Sequence, residues 1–534
     1  MFGVPDLLVS GRLHTLDPAR PQVSALLARE GKIVCLGSVA DCRRAARRGA
    51  AHLDAVCGVP GLVDAHGHVV LLARSLEEVD CRGTRDEEAC VALARMRASS
   101  LSDGAWVLGR GWDEGRWPGR HLPRESSLSA AVPDHPVLLE RIDGHAAWVN
   151  ARALALAGVD RATPDPPGGR ILRDNQGRPT GILLDSAQTL VRARIPHPSA
   201  DEICRLIEVG TRELVRAGLT AVHDAGCTSS VMRAYARLAA GDRLPLRVYA
   251  MIDGDQPEGS LAAELARHTE TPEQGRLCVR AVKLFADGAL GSRGAALLDE
   301  YADDPGNHGL FVSNASELRA QIGRVARAGF QPAVHAIGDA ACREVLRTFA
   351  LLESGLDLKR LRPRVEHLQI VRPEDLPLLG STGAVASMQP VHALSDAPWV
   401  ESRLGKGSTS LACAYRWRGV LEHGVPLAFG SDFPVESPDP RLGLCAAVRG
   451  QPWFSGPLLE REKLSREEAL RAFTAGAAFA SFSEGRRGVL REGADADLTL
   501  FGEDLLEVPV ERLPSVPLVA TVVGGRVEYV AGTS

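Results

Sequence analysis

The chain has 534 residues, a formal net charge of −5 and a 45% share of hydrophobic residues. That length allows one large domain plus a smaller one, and that hydrophobic share argues against wholesale disorder. The mild negative charge leaves no basic footprint, which argues against nucleic acid as the main partner, and no segment approaches the roughly 18 uncharged apolar residues of a membrane span.

In chain order, residues 5–60 carry short alternating β-like runs, LLVSGRLHTLD and VSALLAREGKIVCLG, separated by turns. The Arg-rich stretch 43–48 sits among alanines and reads as an exposed helix face. An apolar run, VPGLVDAHGH (59–68), then ends in two histidines separated by one residue. About 150 residues follow before the next strand-like run, where a βαβ unit needs only roughly 30. The excess, about 73–199, is rich in Trp, Gly and Pro and reads as an inserted subdomain. From Leu219 a βα rhythm sets in, with strand candidates at 219–226, 246–253, 279–288, 330–339, 362–370, 383–390 and 425–432. Amphipathic stretches such as ICRLIEVGTRELVRAG separate most of them. Residues 488–531 return to the short alternating runs of the start.

Eight strands with intervening helices predict an α/β fold, a (β/α)8 barrel, with an open doubly wound sheet as the alternative. The barrel is preferred because polar residues gather at the C-terminal ends of so many strands, where barrel enzymes keep their chemistry. The expected domains are a barrel over 61–483, containing the insertion of about 73–199 as a lid over its mouth, and a small composite β-sandwich from 1–60 and 484–534. Eleven scattered cysteines without a C-x-x-C suggest reduced thiols in a cytoplasmic protein. The first residues lack a basic head followed by a long apolar run, so no signal peptide is expected.

Residues two apart on a strand point to one face, so His66 and His68 would project together as half of a divalent-metal site. Four more strand ends carry ligand-type residues: Lys283, His335, His367 and Asp432. Singly, each has an ordinary role: Lys283 as a snorkelling lysine or partner of Asp287, the histidines as hydrogen-bonded core residues, Asp432 as a turn or cap residue. Gathered at one end of one barrel, they read as a metal site.

At this point the chain resembles the amidohydrolase superfamily, most closely its family 3 branch, the YtcJ-like proteins that include N-substituted formamide deformylases. The resemblance runs over nearly the whole length. Beyond HGH it rests on GRGWDE (109–114), DGHAAWVN (143–150), VKLFADGALGSRGAAL (282–297) and HAIGD (335–339). It continues with RPRVEHLQI (362–370), SMQPVHA (387–393), GSDFPVESPDP (430–440) and GADADLTLF (493–501). It implies a barrel with a composite β-sandwich and one or two divalent ions, Zn²⁺ above all. In such relatives a strand-four lysine reacts with CO2 to give a carbamate bridging two metals, and Lys283 looks like that lysine. His66 and His68 would hold the first ion, His335 and His367 the second. Asp432 would complete the first ion's shell and handle protons.

The reaction expected from such a site is hydrolysis of an amide, N-substituted formamide or cyclic amide, with Asp432 as general base and then general acid. A substrate ester, cyclic imide or urea is the alternative within enzymes, and an inert small-molecule-binding barrel the alternative outside them. Trp112, Asp113 and His145 of the insertion fall where the resemblance places substrate contacts. For Trp112, packing in the insertion's own core is the competing reading. Asp287, Arg293 and Gln389 also follow barrel strands as candidate substrate contacts, with a surface ion pair as the other reading of Arg293. His223, Asp224 and His392 are ligand types read as supporting or structural groups. The partner expected is a small-molecule substrate, and the resemblance adds a possible homodimer.

Overall fold

The computed structural model describes residues 6–269, 273–451 and 462–532. Its central element is a run of eight parallel strands: β1 (Leu62–Gly67), β2 (Leu219–Cys227), β3 (Arg247–Asp253), β4 (Leu277–Phe285), β5 (Gln331–Ala336), β6 (Arg364–His367), β7 (Val385–Met388) and β8 (Leu427–Phe429). Each is hydrogen-bonded to the next in chain order. All eight strand candidates read from the sequence form these strands, with ends shifted by a few residues. The strands are nearly continuous in buried side chains; all six residues of β1 are buried. That is the pattern of parallel strands covered on both sides. Helices supply the outer cover. The helix Ala200–Arg216 buries Ile203, Leu206, Ile207 and Leu214 along one side, and Ala315–Arg327 starts in a reciprocal cap between Asn314 and Glu317.

The barrel is nearly closed. Its seam between β8 and β1 is held by the segment just after β8: Asp432 N donates to His66 O (2.7 Å) and His68 N donates to Phe433 O (2.9 Å). Ser431 Oγ adds a bond to Asp64 Oδ2 (2.6 Å). The approach is close enough that a Cβ on Gly430 would lie 2.5 Å from His66 N, so only glycine fits.

The first and last parts of the chain share one seven-stranded sheet. Its order is Arg526–Val530, Leu518–Val523, Leu498–Phe501, Ala51–Pro60, Leu7–His14, Gln22–Arg29 and Lys32–Gly37. Leu498–Phe501 pairs antiparallel with Ala51–Pro60, which joins the two termini. Hydrogen bonds link these strands in one continuous order, and Leu7, Val9, Leu26 and Ile33 share one buried core with Leu498, Leu500, Ala520 and Val522; residues 1–5 and 533–534 lie outside the described residues. The sheet is fastened to the starts of β1, β2 and β3. Thr499 Oγ1 accepts from Leu62 N (3.1 Å) and donates to Gly218 O (2.8 Å), and Arg247 makes a two-pronged pair with Asp497 (2.7 and 3.0 Å).

Residues 73–199 form a compact unit of their own. It holds a six-stranded sheet in the order Gly169–Arg173, Pro179–Asp185, Ala146–Val149, Val137–Arg141, Val107–Trp112 and Val79–Asp80. Trp112, Trp117 and Trp148 meet in its core beside Leu128, Val137 and Ile182. Among the described residues, no helix is long and apolar enough to cross a membrane.

The Arg247–Asp497 pair is largely buried, so removing one partner leaves the other charge short of its counter-ion. Arg247→Ala should cost about 3 kcal/mol of stability, read as a lower urea midpoint. An unchanged midpoint would show that the terminal sheet is held by other contacts.

Candidate metal centre

His66 and His68 arrive from β1 with the same face of each ring committed. His66 Nδ1 lies 2.5 Å from Glu366 Oε2, and His68 Nδ1 donates to the carbonyl of Ala225 (2.9 Å). His367, at the end of β6, holds Gln389 Oε1 with its Nδ1 (2.8 Å). These partners accept, so each Nδ1 carries a proton. Burial lowers the pKa of His66 and His367, which keep a lone pair on Nε2. At His68 burial is outweighed by the hydrogen bond to Asp432 and the pKa rises, so that ring can also donate from Nε2. The Nε2 atoms of His66 and His68 both face one oxygen of Asp432, Oδ1, at 3.7 and 3.2 Å. His367 is stacked into the same group, its ring centre 4.8 Å from that of His66 and 4.5 Å from that of His335.

Backbone strain brings two of these residues in. His367 has φ +73° and Asp432 φ +61°, the left-handed region that residues with a side chain rarely adopt. Adjacent residues on a regular strand face opposite ways. The turn at His367 breaks that rule, so Glu366 and His367 both reach His66. The glycine between the two histidines makes room for a neighbour, since a Cβ on Gly67 would lie 2.2 Å from the Phe433 ring. The space it leaves is filled by that ring rather than by imidazole.

Behind His66 lies a closed polar network. Arg364 Nε and Nη2 donate to Glu366 Oε1 and Oε2 (2.6 and 3.1 Å). The same guanidinium reaches Ser387 Oγ (2.9 Å), Ala65 O (2.7 Å) and His223 Nδ1 (2.9 Å). Arg364 and Glu366 have no solvent exposure. Burial opposes ionisation of Glu366, but Arg364 and His66 outweigh it and hold its pKa well below the usual range. His66 moves down to about 4, through burial and the charge of Lys283, so it is neutral at pH 7. Burial opposes charge on Asp432 too, yet the His68 hydrogen bond and the surrounding imidazoles keep its pKa far below normal.

Neutral His66 therefore points a lone pair at an anionic carboxylate. Its Nε2 is buried and has no hydrogen-bond partner, and neither has Lys283 Nζ. Two electron-rich groups facing each other across 3.7 Å are explained by a cation between them. His66, His68 and Asp432 each offer one ligand atom, all within 4.8 Å of one another, and so do His367, His392 and Asp432. Imidazole nitrogen with carboxylate oxygen suits a divalent transition metal. Orientation of the rings through Nδ1 is the usual support for such an ion. The donor set fits.

Residues 58–529 match the Amidohydrolase family. The chain belongs to that family. This amidohydrolase is 32% identical over 478 residues to YtcJ of Bacillus subtilis, covering 88% of each chain. It is 26% identical over 538 residues to N-substituted formamide deformylase of Arthrobacter pascens, covering 98% of each. Among solved structures, an uncharacterized metal-dependent hydrolase from Pyrococcus horikoshii superposes with a TM-score of 0.80 at 26% identity, covering 95% of this chain and 99% of that one. The protein is a hydrolase of this superfamily, and a divalent metal is implied by the family.

The other residues singled out in the sequence of this amidohydrolase have varied surroundings. Lys283, in β4, is fully buried with Nζ 4.8 Å from the centre of the Phe285 ring, and burial lowers its pKa to about 8. His335 has Nε2 turned toward Gly288 O (3.4 Å) and Asp287 Oδ1 (3.5 Å). Burial and Lys283 lower its pKa to about 3. Asp287 accepts from the backbone of Ala296, Ile337 and Gly338 (2.9, 3.0 and 2.8 Å) and ties the loop after β4 to the loop after β5. Burial raises its pKa to about 7 against those bonds. Gln389 holds His367, a positioning contact. Arg293 has the surface ion pair weighed for it, with Asp303 (3.1 Å). Trp112 is closed inside the core of its own unit, donating to Leu139 O (2.9 Å), and presents no wall. Asp113 accepts from Gly115 N (3.1 Å) and lies 3.2 Å from Arg116. His145 is exposed, with Nδ1 2.9 Å from Asp185. His223 and Asp224 are supporting groups, bonded to Arg364 and to Val69 N and Tyr235.

Sequence reasoning missed Glu366 and Arg364 and set His392 aside. The signal for the first pair was present: two charged residues two apart on a strand expected to be buried on both faces.

Glu366→Gln keeps the shape beside His66 but removes the anion that orients it. It should weaken divalent-ion affinity by about 10- to 100-fold, measured by chelator competition. Unchanged affinity in a folded variant would deny Glu366 that role.

Proposed function

We propose that this amidohydrolase hydrolyses a non-peptide C–N bond, in an amide, N-substituted formamide or cyclic amide. The observation that carries the reading is the convergence of His66 and His68 Nε2 on one oxygen of Asp432, with the His66 nitrogen unpartnered. The full-length likeness to a protein named N-substituted formamide deformylase favours the C–N bond.

In this reading His66, His68 and Asp432 would hold a first ion, Zn²⁺ by ligand type, and Lys283, His335 and His367 would hold a second. A bound divalent ion supplies Lewis acidity toward water and the scissile carbonyl. Asp432, anionic at neutral pH, takes the proton of the attacking water as its oxygen bonds to the carbonyl carbon. It returns that proton to the nitrogen as the C–N bond breaks, so amine and carboxylic acid leave. Glu366 keeps the His66 tautomer fixed throughout, and Arg364 keeps Glu366 charged.

Lys283 is suited to become a carbamate. Burial brings its pKa down to about 8, so a larger share is the neutral amine that attacks CO2, forming an N–C bond and losing a proton. Protein equilibrated with 13C-bicarbonate should show a carbamate resonance that is absent in Lys283→Met. Identical spectra would remove the carbamate.

The deciding experiment supplies Zn²⁺ or Mn²⁺ and screens N-substituted formamides, N-acyl amines and cyclic amides beside their matching esters. Release of free amine is expected; turnover of esters alone would overturn the C–N assignment. Asp432→Asn should lower turnover by at least about 100-fold with an unchanged circular dichroism spectrum. Wild-type rates in that variant would remove Asp432 from proton transfer.

A further inference from the structure

The terminal sheet carries a pair of reactive groups that the barrel mouth does not use. Its strand Lys32–Gly37 turns through a single residue, Ser38, into the helix Val39–Ala45. Ser38 Oγ accepts from Asp41 N (3.1 Å), which fixes where the helix begins. Cys35 stands in the strand and Cys42 in the helix, and Cys42 Sγ donates to Cys35 Sγ across 3.3 Å. Cys42 is buried in a small core with Leu8, Ala25 and Leu27, and Cys35 packs at the margin of that core. Cys35 is partly exposed.

This arrangement suits thiol oxidation. The partly exposed sulfur is the one an oxidant reaches, and the hydrogen bond it accepts favours its thiolate. The buried sulfur is shielded from solvent but already touches its neighbour. A disulfide needs the sulfurs about 2.05 Å apart, a short closure that side-chain rotation supplies. The other cysteines lack this combination. All but Cys35 and Cys278 are buried. Cys278 lies near Glu273 and Arg280, and among the described residues no thiol hydrogen-bonds to it. Cys81 and Cys90 hydrogen-bond to each other, but both are buried.

We propose that Cys35 and Cys42 form a modification site, a dithiol that a hydroperoxide converts to an intramolecular disulfide, with Cys35 as the attacking sulfur and Cys42 as the resolving one. Cys35, its proton released to water, attacks one peroxide oxygen. The S–O bond forms, the O–O bond breaks, and the departing hydroxide takes up that proton and leaves as water. The sulfur of Cys42 then attacks the sulfur of the Cys35 sulfenic acid. The S–S bond forms as the S–O bond breaks, and hydroxide leaves with the Cys42 proton as a second water. The two thiols together lose two electrons, and the peroxide takes them. The site stands apart from the metal centre and holds whatever bond that centre cleaves.

Lys32 and Arg43 bracket both cysteines, so trypsin releases them in one peptide, 33–43. Reduced full-length protein is treated with rising doses of hydrogen peroxide, unfolded, alkylated with N-ethylmaleimide, digested and analysed by mass spectrometry. Peptide 33–43 should be the first to change: it loses both alkylation sites together, at a mass two hydrogens below the dithiol, and dithiothreitol restores them. In Cys42→Ser, dimedone should trap Cys35 as a sulfenic acid; in Cys35→Ser, Cys42 should stay reduced at the same dose. Oxidation of any other cysteine while peptide 33–43 keeps both alkyl groups, a disulfide between Cys81 and Cys90 included, overturns the proposal. So does oxidation of Cys42 in the absence of Cys35.

Discussion

The chemistry at the barrel mouth depends on one ion pair that never meets solvent, Arg364 with Glu366. Stripping water from both charges is costly, and a pair of apolar residues of similar volume would often be as stable or more so. The pair is better understood through what it does to His66. An anionic Glu366 accepts from Nδ1 and turns the lone pair of Nε2 toward Asp432. Without Arg364, burial would push Glu366 toward its protonated form, and a protonated carboxyl would itself seek an acceptor. The tautomer of His66 would then be unspecified. Arg364 directs its remaining donors to β1, β2 and β7 through Ala65, His223 and Ser387, so the same guanidinium ties the strands around it.

Closure of the barrel and assembly of the site are one set of contacts. β8 is short, and the hydrogen bonds that bring its end to β1 come from Asp432 and Phe433. The backbone N–H of Asp432 binds His66 O while its side chain faces the rings of His66 and His68. A change that opens the seam must therefore pull a ligand away. Gly430 and Gly67 serve this arrangement from the two sides, one allowing the backbones to meet and the other admitting Phe433. The strain at Asp432 is sustained because these contacts fix the residue before and after it.

Much of this was legible in the sequence. HGH at 66–68 and the polar strand ends at Lys283, His335, His367 and Asp432 could be read because barrel strands are apolar runs, against which a terminal polar residue stands out. Eight such runs gave the barrel. The insertion announced itself by length, but not its interior: Trp112 looked like a pocket wall in a Gly- and Pro-rich stretch, and only packing against Trp117 and Trp148 places it in a core. Arg364 and Glu366 were passed over because a search for ligand types stops at the histidine beside them. His392 was set aside since it follows a strand rather than ending one. Its 3.9 Å approach to Asp432 Oδ2 depends on a left-handed backbone turn that no periodicity encodes.

The placement of the terminal sheet completes the logic. Its fastenings, Thr499 to Leu62 and Gly218 and Asp497 to Arg247, lie at the starts of β1, β2 and β3. The metal-type residues lie toward the opposite ends of the barrel strands, on or just after β1, β4, β5, β6 and β8, so that β1 carries both. Anchoring at one end and chemistry at the other lets the barrel separate the two demands: the starting ends are fixed by complete hydrogen bonding, and the finishing ends keep unpartnered nitrogens on His66, Lys283 and His392. Such groups are destabilising where they stand. They persist because the rest of the strand, and the sheet beneath it, hold the backbone against relaxing them.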